Sequence, residues 1–226
     1  AIDGVSGVVT VAGAIDREAA ASHSITVRAT SADGSFSTQV FAIAVTDVDE
    51  FDVGPISDTD VSADSVTENA ALGTLVGVTA FASDADATTN GITYTLDNSA
   101  GGRFAIDGVS GMVSVADGSL LDREAAASHN ITVRATSADG SFSTQVFAIN
   151  VADVDEFDVG AISDTDAGAD SVAENAANGT VVGITALAAD ADATTNAITY
   201  TLDDDAGGRF AIGAASGAVS VADGSL

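Results

Sequence analysis

The chain repeats itself, and that repeat limits what it can fold into more than any other feature. Asp16-Arg17-Glu18-Ala19-Ala20 returns 106 residues later as Asp122-Arg123-Glu124-Ala125-Ala126. At the same offset Arg28 to Gly34 returns as Arg134 to Gly140, and Asp47 to Phe51 returns as Asp153 to Phe157. Glu68-Asn69 returns as Glu174-Asn175, and Asp84-Ala85-Asp86 as Asp190-Ala191-Asp192. Only at the start does the offset fall to 104, where Ile106-Asp107-Gly108 covers Ile2-Asp3-Gly4. The residues missing from the first copy lie near Asp117-Gly118, in a glycine-containing turn where a surface loop tolerates a change of length. Self-similarity at a fixed period is the signature of tandem copies of one folding unit.

If a unit closes at the acidic Asp-Val-Asp-Glu segment, residues 54–159 are one complete repeat. Residues 1–53 are then the C-terminal half of a preceding unit and residues 160–226 the N-terminal part of a third. Gly224-Ser225-Leu226 aligns with Gly118-Ser119-Leu120. This phasing predicts a segment of a longer array, with neighbouring polypeptide, continuous or from another copy, completing both partial units.

Alternating or β-branched runs punctuated by turn residues dominate the full repeat. They predict strands over 65–69, 74–82, 91–96, 103–106, 112–115, 130–136 and 144–151. Ile131, Val133 and Ala135 share one face of the penultimate strand, and Phe147, Ile149 and Val151 one face of the last. Seven short strands in about 100 residues fit an all-β, immunoglobulin-like sandwich. Residues 123–128 could form a single helical turn, and nothing longer reads as helix.

Charge excludes several classes of function. Acids number 34 against 6 arginines and no lysine, for a formal net charge of −28. Such a chain lacks the cationic face that nucleic-acid phosphates require, and it does not dock on anionic lipid. No apolar run approaches the roughly 20 residues of a membrane span. Without cysteine there is no disulfide and no thiolate metal site. The acids are clustered: Asp84/Asp86, Asp122/Glu124, and Asp153/Asp155/Glu156, with Glu68 just before a turn. Crowding like charges in a folded state costs free energy, which a hard divalent cation offsets. Calcium takes six to eight oxygens of the kind these clusters supply. With one histidine per repeat, zinc lacks ligands. An EF-hand at Asp84-x-Asp86 fails, because its glycine and glutamate positions hold Thr89 and Thr95. Catalysis has no foothold: there is no G-x-S-x-G elbow, no cysteine nucleophile and no H-E-x-x-H. Carboxylates that recur in every unit serve a scaffold or an ion more often than an active site.

Four ordered segments then carry a family resemblance. Ala82-Ser83-Asp84-Ala85-Asp86, followed by Asn90-Gly91-Ile92-Thr93-Tyr94, resembles the A-x-D-x-D and downstream Asn and Tyr of the cadherin repeat. Val66-Thr67-Glu68-Asn69 resembles its x-E-x motif, Leu121-Asp122-Arg123-Glu124 its L-D-R-E motif, and Asp153-Val154-Asp155-Glu156 its D-x-N-D linker. The cysteine-free, Ala- and Asp-rich composition is similar to cadherin-like repeats of large bacterial surface adhesins. The resemblance implies tandem Greek-key sandwiches with Ca2+ at the junctions between repeats. For the first junction it implies Asp16, Glu18, Asp47, Asp49, Glu50, Asp84, Asp86 and Asn90, the x-E-x glutamate lying before Ala1. For the second it implies Glu68, Asp122, Glu124, Asp153, Asp155, Glu156, Asp190, Asp192 and Asn196. The sequence departs from the family where its downstream aspartate falls on Ser137 (Ser31 in the first copy), with Asp139 two residues late. Asp49 and Asp155 replace the linker asparagine, and Phe51 and Phe157 the residue that closes the motif.

Four further features have plainer expected roles. A second acidic set, Asp58/Asp60/Asp64 and its repeat Asp164/Asp166/Asp170, either lines another ion site or solubilises an edge. His23 and His129 are expected to pack as structural residues, and the arginines to compensate charge. The glycosylation-type sequons at Asn130 and Asn178 are absent from the matching copies and read as chance. The expected function is a non-enzymatic, calcium-rigidified array in an extracellular bacterial adhesin or surface fibre, mediating adhesion or biofilm matrix assembly. Its partners would be neighbouring repeats or identical copies packed in a filament. The alternative is a calcium-dependent module for surface or matrix polysaccharide.

Overall fold

The computed structural model describes residues 1–225; Leu226, and with it the alignment of that residue on Leu120, lies outside the described residues. The protein is all-β. An antiparallel hairpin comes first, β1 (Ser22–Thr30) and β2 (Phe36–Ala44). Eight strands follow: β3 (Ser57–Asp58), β4 (Ser65–Thr67), β5 (Leu75–Phe81), β6 (Thr93–Asn98), β7 (Phe104–Ile106), β8 (Met112–Val115), β9 (Ser128–Thr136) and β10 (Phe142–Ala152). They form two sheets, in the orders β3-β5-β8-β7 and β4-β10-β9-β6. Four more strands, β11 (Ser163–Asp164), β12 (Val181–Leu187), β13 (Phe210–Ile212) and β14 (Ala218–Val221), make a third sheet, β11-β12-β14-β13. That order copies the first sheet of the middle repeat, strand for strand.

The alternation read from sequence sets the core. Ile131, Val133 and Ala135 on β9 are each 0% exposed, and Ile149 and Val151 on β10 are buried with them. On the other sheet Val76, Val78, Val113 and Val115 are buried. Each such valine or isoleucine side chain contributes about 1.5–3 kcal/mol by leaving water. In residues 160–225 the buried cluster is smaller: Val182, Val219 and Val221, with Ala176, Ile184, Phe210 and Ile212 partly buried against it.

All seven expected strands are present, with shifted ends. The first stops at Thr67 because Asn69 turns the chain with φ of 52°, a conformation asparagine tolerates. The third slides to Thr93–Asn98 to pair with β9. Strand β3 is too short for its two residues to show a period. Residues 123–125 make a turn closed by Ala126 N–H on the Asp122 carbonyl, and the helical turn lies earlier, a 3-10 turn at Gly118–Leu120. In β5 the register shifts between Leu75 and Thr79. Gly77 sits there at φ of 80°, and a Cβ would lie 2.3 Å from the Ala63 carbonyl oxygen, so only glycine fits.

By contacts the chain divides into two compact units. One comprises residues 1–65, 71–117 and 129–149; the other comprises 66–70, 118–128 and 150–225. Each holds one acidic cluster.

Candidate metal centres

In the first unit, carboxylate oxygens of Asp49, Asp86 and Asp139 all lie within 4.8 Å of one another. Asp86 is 1% exposed. Its two oxygens accept the backbone N–H groups of Glu50 and Phe51, both at 3.3 Å, so a buried loop carboxylate grips the acidic segment. Asp84 folds that loop: one oxygen accepts Asp86 N–H at 3.1 Å, and the other lies 2.5 Å from the Ser137 hydroxyl. Those bonds hold the Asp84 carboxyl below its ordinary value, the Ser137 bond most of all. Glu18 accepts Ala87 N–H at 3.1 Å through Oε1, and Asp47 accepts the Thr88 hydroxyl through Oδ2. The other oxygens, Glu18 Oε2 and Asp47 Oδ1, are buried without a partner. Asn90 donates to the Asp86 carbonyl at 2.6 Å, and Asp16 accepts Ala19 N–H at 3.0 Å, closing its own turn.

In the second unit a different triad, Glu68, Glu124 and Asp153, brings its carboxylate oxygens within 4.8 Å of one another. Glu68 is 2% exposed and accepts two backbone N–H groups at 2.7 Å, from Arg123 and Val154. Glu124 accepts Ala193 N–H at 2.8 Å, and Asp153 Oδ2 accepts the Thr194 hydroxyl. Asp153 Oδ1 is buried and unpartnered. Asp192, 1% exposed, accepts Glu156 N–H at 3.3 Å and Phe157 N–H at 3.4 Å. Asp190 accepts Asp192 N–H, and Asp122 accepts Ala125 N–H. Asn196 is exposed and makes no hydrogen bond among the described residues.

Repulsion is written into the titration of these groups. Glu156 is pushed from its ordinary 4.5 up to about 7, by desolvation and then by Glu68, Glu124, Asp192 and Asp153. Asp49 is pushed to about 6, first by sharing a proton with Asp86, then by burial and the charge of Asp139. Asp155 rises through the same contact with Asp192, and Glu50 through burial and Glu18. Acids brought this close to one another, with no arginine among them, are compatible with a hard cation that offsets their repulsion.

Three residues of these clusters are absent from the sequence-derived ligand set. Asp139 joins the first cluster from the turn after β9, and Thr88 and Thr194 cover the linker aspartates. The signal for Asp139 was its recurrence after Asp33 in an Ala-Asp-Gly turn. In the set Asp58/Asp60/Asp64, Asp58 and Asp60 serve the backbone. Asp58 accepts Thr79 N–H and Asp60 N–H at 2.9 Å, beside the Gly77 bulge, and Asp164 does the same for Thr185 and Asp166. The arginines divide. Arg134 pairs with Asp97 at 2.7 Å, whereas Arg17 and Arg123 donate to backbone carbonyls, Ala21 and Val45 for one, Ala127 and Val151 for the other. His129 packs as expected, its ring 6.4 Å from that of Phe104.

Residues 63–152 match the cadherin domain family model. The chain is 35% identical over 136 residues to protocadherin Fat 4 of Mus musculus, covering 60% of this chain and 3% of that protein. It is 31% identical over 155 residues to cadherin-related family member 2 of Homo sapiens, covering 67% of this chain and 12% of that protein. It therefore spans only a small part of the relatives it matches. Among solved structures, mouse cadherin-23 EC22-24 superposes with a TM-score of 0.69 at 26% identity, over 92% of this chain and 66% of that one. A protocadherin gammaB7 EC3-6 cis-dimer structure gives a TM-score of 0.74 at 19% identity, over 94% and 53%, a likeness of fold alone.

Proposed function

We propose that the chain, whose residues 63–152 match the cadherin domain family, is a run of cadherin-like extracellular adhesion repeats rather than an enzyme, and a calcium-rigidified segment of an adhesive fibre. We take residues 54–159 as its complete repeat, 1–53 as the end of one before and 160–226 as the start of one after. Cadherin domains generally bind Ca2+ between repeats. One observation carries the reading for this chain: at corresponding positions of both clusters a linker carboxylate oxygen, on Asp47 and on Asp153, is buried with no partner. A buried unpaired carboxylate oxygen is costly, and an all-oxygen donor set fits a hard cation.

In the first junction Asp16, Glu18, Asp47, Asp49, Glu50, Asp84, Asp86 and Asn90 are the proposed ligands. In the second they are Glu68, Asp122, Glu124, Asp153, Asp155, Glu156, Asp190, Asp192 and Asn196. Bound calcium would neutralise the mutual repulsion of these carboxylates. The protein's own residues do the positioning. Glu68 and Asp192 fix the two ends of the linker through its backbone, so acids from three segments face one another before any ion arrives. Among the described residues no helix is long and apolar enough to cross a membrane. The cysteine-free, Asp-rich composition supports placement in a bacterial surface fibre. The polysaccharide reading gains no support, since the hydroxyls of both tyrosines, Tyr94 and Tyr200, are engaged by backbone N–H groups of their own sandwich.

Calorimetric titration of calcium into the 226-residue chain tests the proposal. At least two ions per junction are expected, with magnesium binding far more weakly. Absence of saturable calcium binding at millimolar ion would end it.

A further inference from the structure

We propose that Asn90 is a site of spontaneous chemical modification, losing its side-chain nitrogen as ammonia through attack by its own backbone, and that this unlatches the loop of the first acidic cluster. Two conditions govern such a reaction. The residue after the asparagine must let its amide nitrogen reach the side-chain carbonyl carbon, which glycine does best because it has no Cβ and a permissive backbone. That amide must also be free, because an N–H fixed in a backbone hydrogen bond holds its nitrogen away from attack.

Two asparagines precede glycine, Asn90 before Gly91 and Asn178 before Gly179. Gly91 lies in the loop between β5 and β6, exposed like Asn90, and its N–H makes no hydrogen bond among the described residues. Gly179 N–H instead donates to the Val221 carbonyl at 2.7 Å, and Asn178 Oδ1 accepts Gly224 N–H at 2.9 Å. Asn196 is the repeat copy of Asn90 and also exposed, but it precedes Ala197, whose N–H makes no hydrogen bond among the described residues. The chain thus carries glycine without a free amide, a free amide without glycine and, at Asn90, both together.

One bond restrains the Asn90 carboxamide, Nδ2 donating to the Asp86 carbonyl oxygen at 2.6 Å, and a single neutral bond is weak enough net to open. Gly91 N then bonds to Asn90 Cγ and the Cγ–Nδ2 bond breaks. The Gly91 amide proton passes to the departing nitrogen, which leaves as ammonia, and a five-membered imide closes. Water opens the imide at either carbonyl, leaving an aspartyl or an isoaspartyl residue at position 90. Neither product can donate to the Asp86 carbonyl, and the new carboxylate is repelled by it. The same loop presents Ala87 N–H to Glu18 and the Thr88 hydroxyl to Asp47. Its loosening therefore weakens the hold of the loop on both acids.

Peptide mapping by mass spectrometry tests this, after the 226-residue chain has stood in mildly alkaline buffer with EGTA. Conversion at Asn90 should run about tenfold or more ahead of Asn178 and Asn196. Gly91→Ala should bring it down to the rate of Asn196; the added Cβ meets only the Ala138 Cβ at 3.9 Å, an ordinary contact, so the fold survives. Ala197→Gly should conversely raise conversion at Asn196. Conversion at Asn178 or Asn196 as fast as at Asn90 would overturn the site. So would a Gly91→Ala variant that converts at the unsubstituted rate, or an Ala197→Gly variant that is no faster. Asn90→Asp reproduces one product, and hydrogen exchange at the Ala87 amide should quicken about tenfold in it; unchanged exchange would overturn the loosening. Every arm is run without calcium, so failure of the ion-binding proposal leaves these outcomes untouched.

Discussion

The two acidic clusters share one sequence, yet each holds a different portion of the same set. In the first, Asp139 and Ser137 come in from the turn after β9. In the second, buried Glu68 comes in from the turn after β4. What they share is the grip on the linker. Glu18 and Glu124 accept corresponding N–H groups of the following loop, and Asp86 and Asp192 accept corresponding N–H groups of the linker. In both clusters the linker and the following loop are thus tied in place by backbone N–H groups donated to carboxylates. The electrostatics follow the parts. Glu156, which faces Glu68, rises to about 7, whereas the rise of Glu50 comes from burial and Glu18.

Removing calcium should have the largest effect and should strike both clusters. Mass action gives about 2.7 kcal/mol per site at a hundredfold excess over the dissociation constant, so EGTA should lower the unfolding midpoint by many degrees. A thermal melt indifferent to EGTA contradicts the stapling role at both junctions.

Glu68→Ala should separate the clusters next. It strips the acceptor from two backbone N–H groups, at Arg123 and Val154. Leaving buried donors unpaired costs about 1–3 kcal/mol each, so urea unfolding in EGTA should show a loss of about 2–6 kcal/mol. A loss seen only in calcium would make Glu68 a ligand with no part in fixing the linker.

The parts of the molecule legible in the sequence are those set by local pattern. The β9 and β10 faces followed from alternation alone, and the linker acids from their spacing. What the sequence hid depends on partners. Residues 93–98 and 199–204 are near-copies, but only the former make a strand, because only they lie beside β9. β10 continues to Ala152 where β2 ends at Ala44, because β10 has β4 on its other side. Asp139 was visible as a recurring acid, but its approach to Asp49 and Asp86 comes from the turn after β9.

Acidity should reveal the difference in charge crowding. A carboxyl whose folded pKa is raised binds more protons folded than unfolded, so its contribution falls as pH rises. For Glu156 the window runs from 4.5 to about 7, and for Asp49 from 3.8 to about 6. In EGTA, then, stability should increase as pH is lowered from 7.5 to 5.5. Carboxyls held low, such as Asp97 by Arg134, stay ionised there and do not interfere. In calcium the slope should invert, because protons then compete with the ion. Glu156→Gln should remove most of the upper part of the EGTA slope and Asp49→Asn only the lower part; equal effects would mean that the two clusters are equally crowded.

Asp139→Asn gives the smallest expected change, confined to one cluster. Asp139 is 4.8 Å or less from Asp49 and Asp86, and it adds charge that raises Asp49. It also accepts Ser141 N–H at 2.6 Å, a bond the asparagine oxygen can keep, so the turn should hold. Two readouts should then move in opposite directions. Asp49 should titrate nearer its ordinary 3.8, because a like charge is gone. One class of calcium sites should weaken about tenfold, because ligand charge count sets affinity in oxygen sites. Asp139 takes no part in the second cluster, which should titrate unchanged. Ser137→Asp is the complement: it places a carboxylate beside Asp84, where the hydroxyl now lies 2.5 Å away, and should tighten the same class of sites while destabilising the ion-free form. If Asp139→Asn leaves both classes of sites as they were, Asp139 does not stand in for the acid missing at Ser137, and the first cluster has only the linker and loop ligands that the two junctions share.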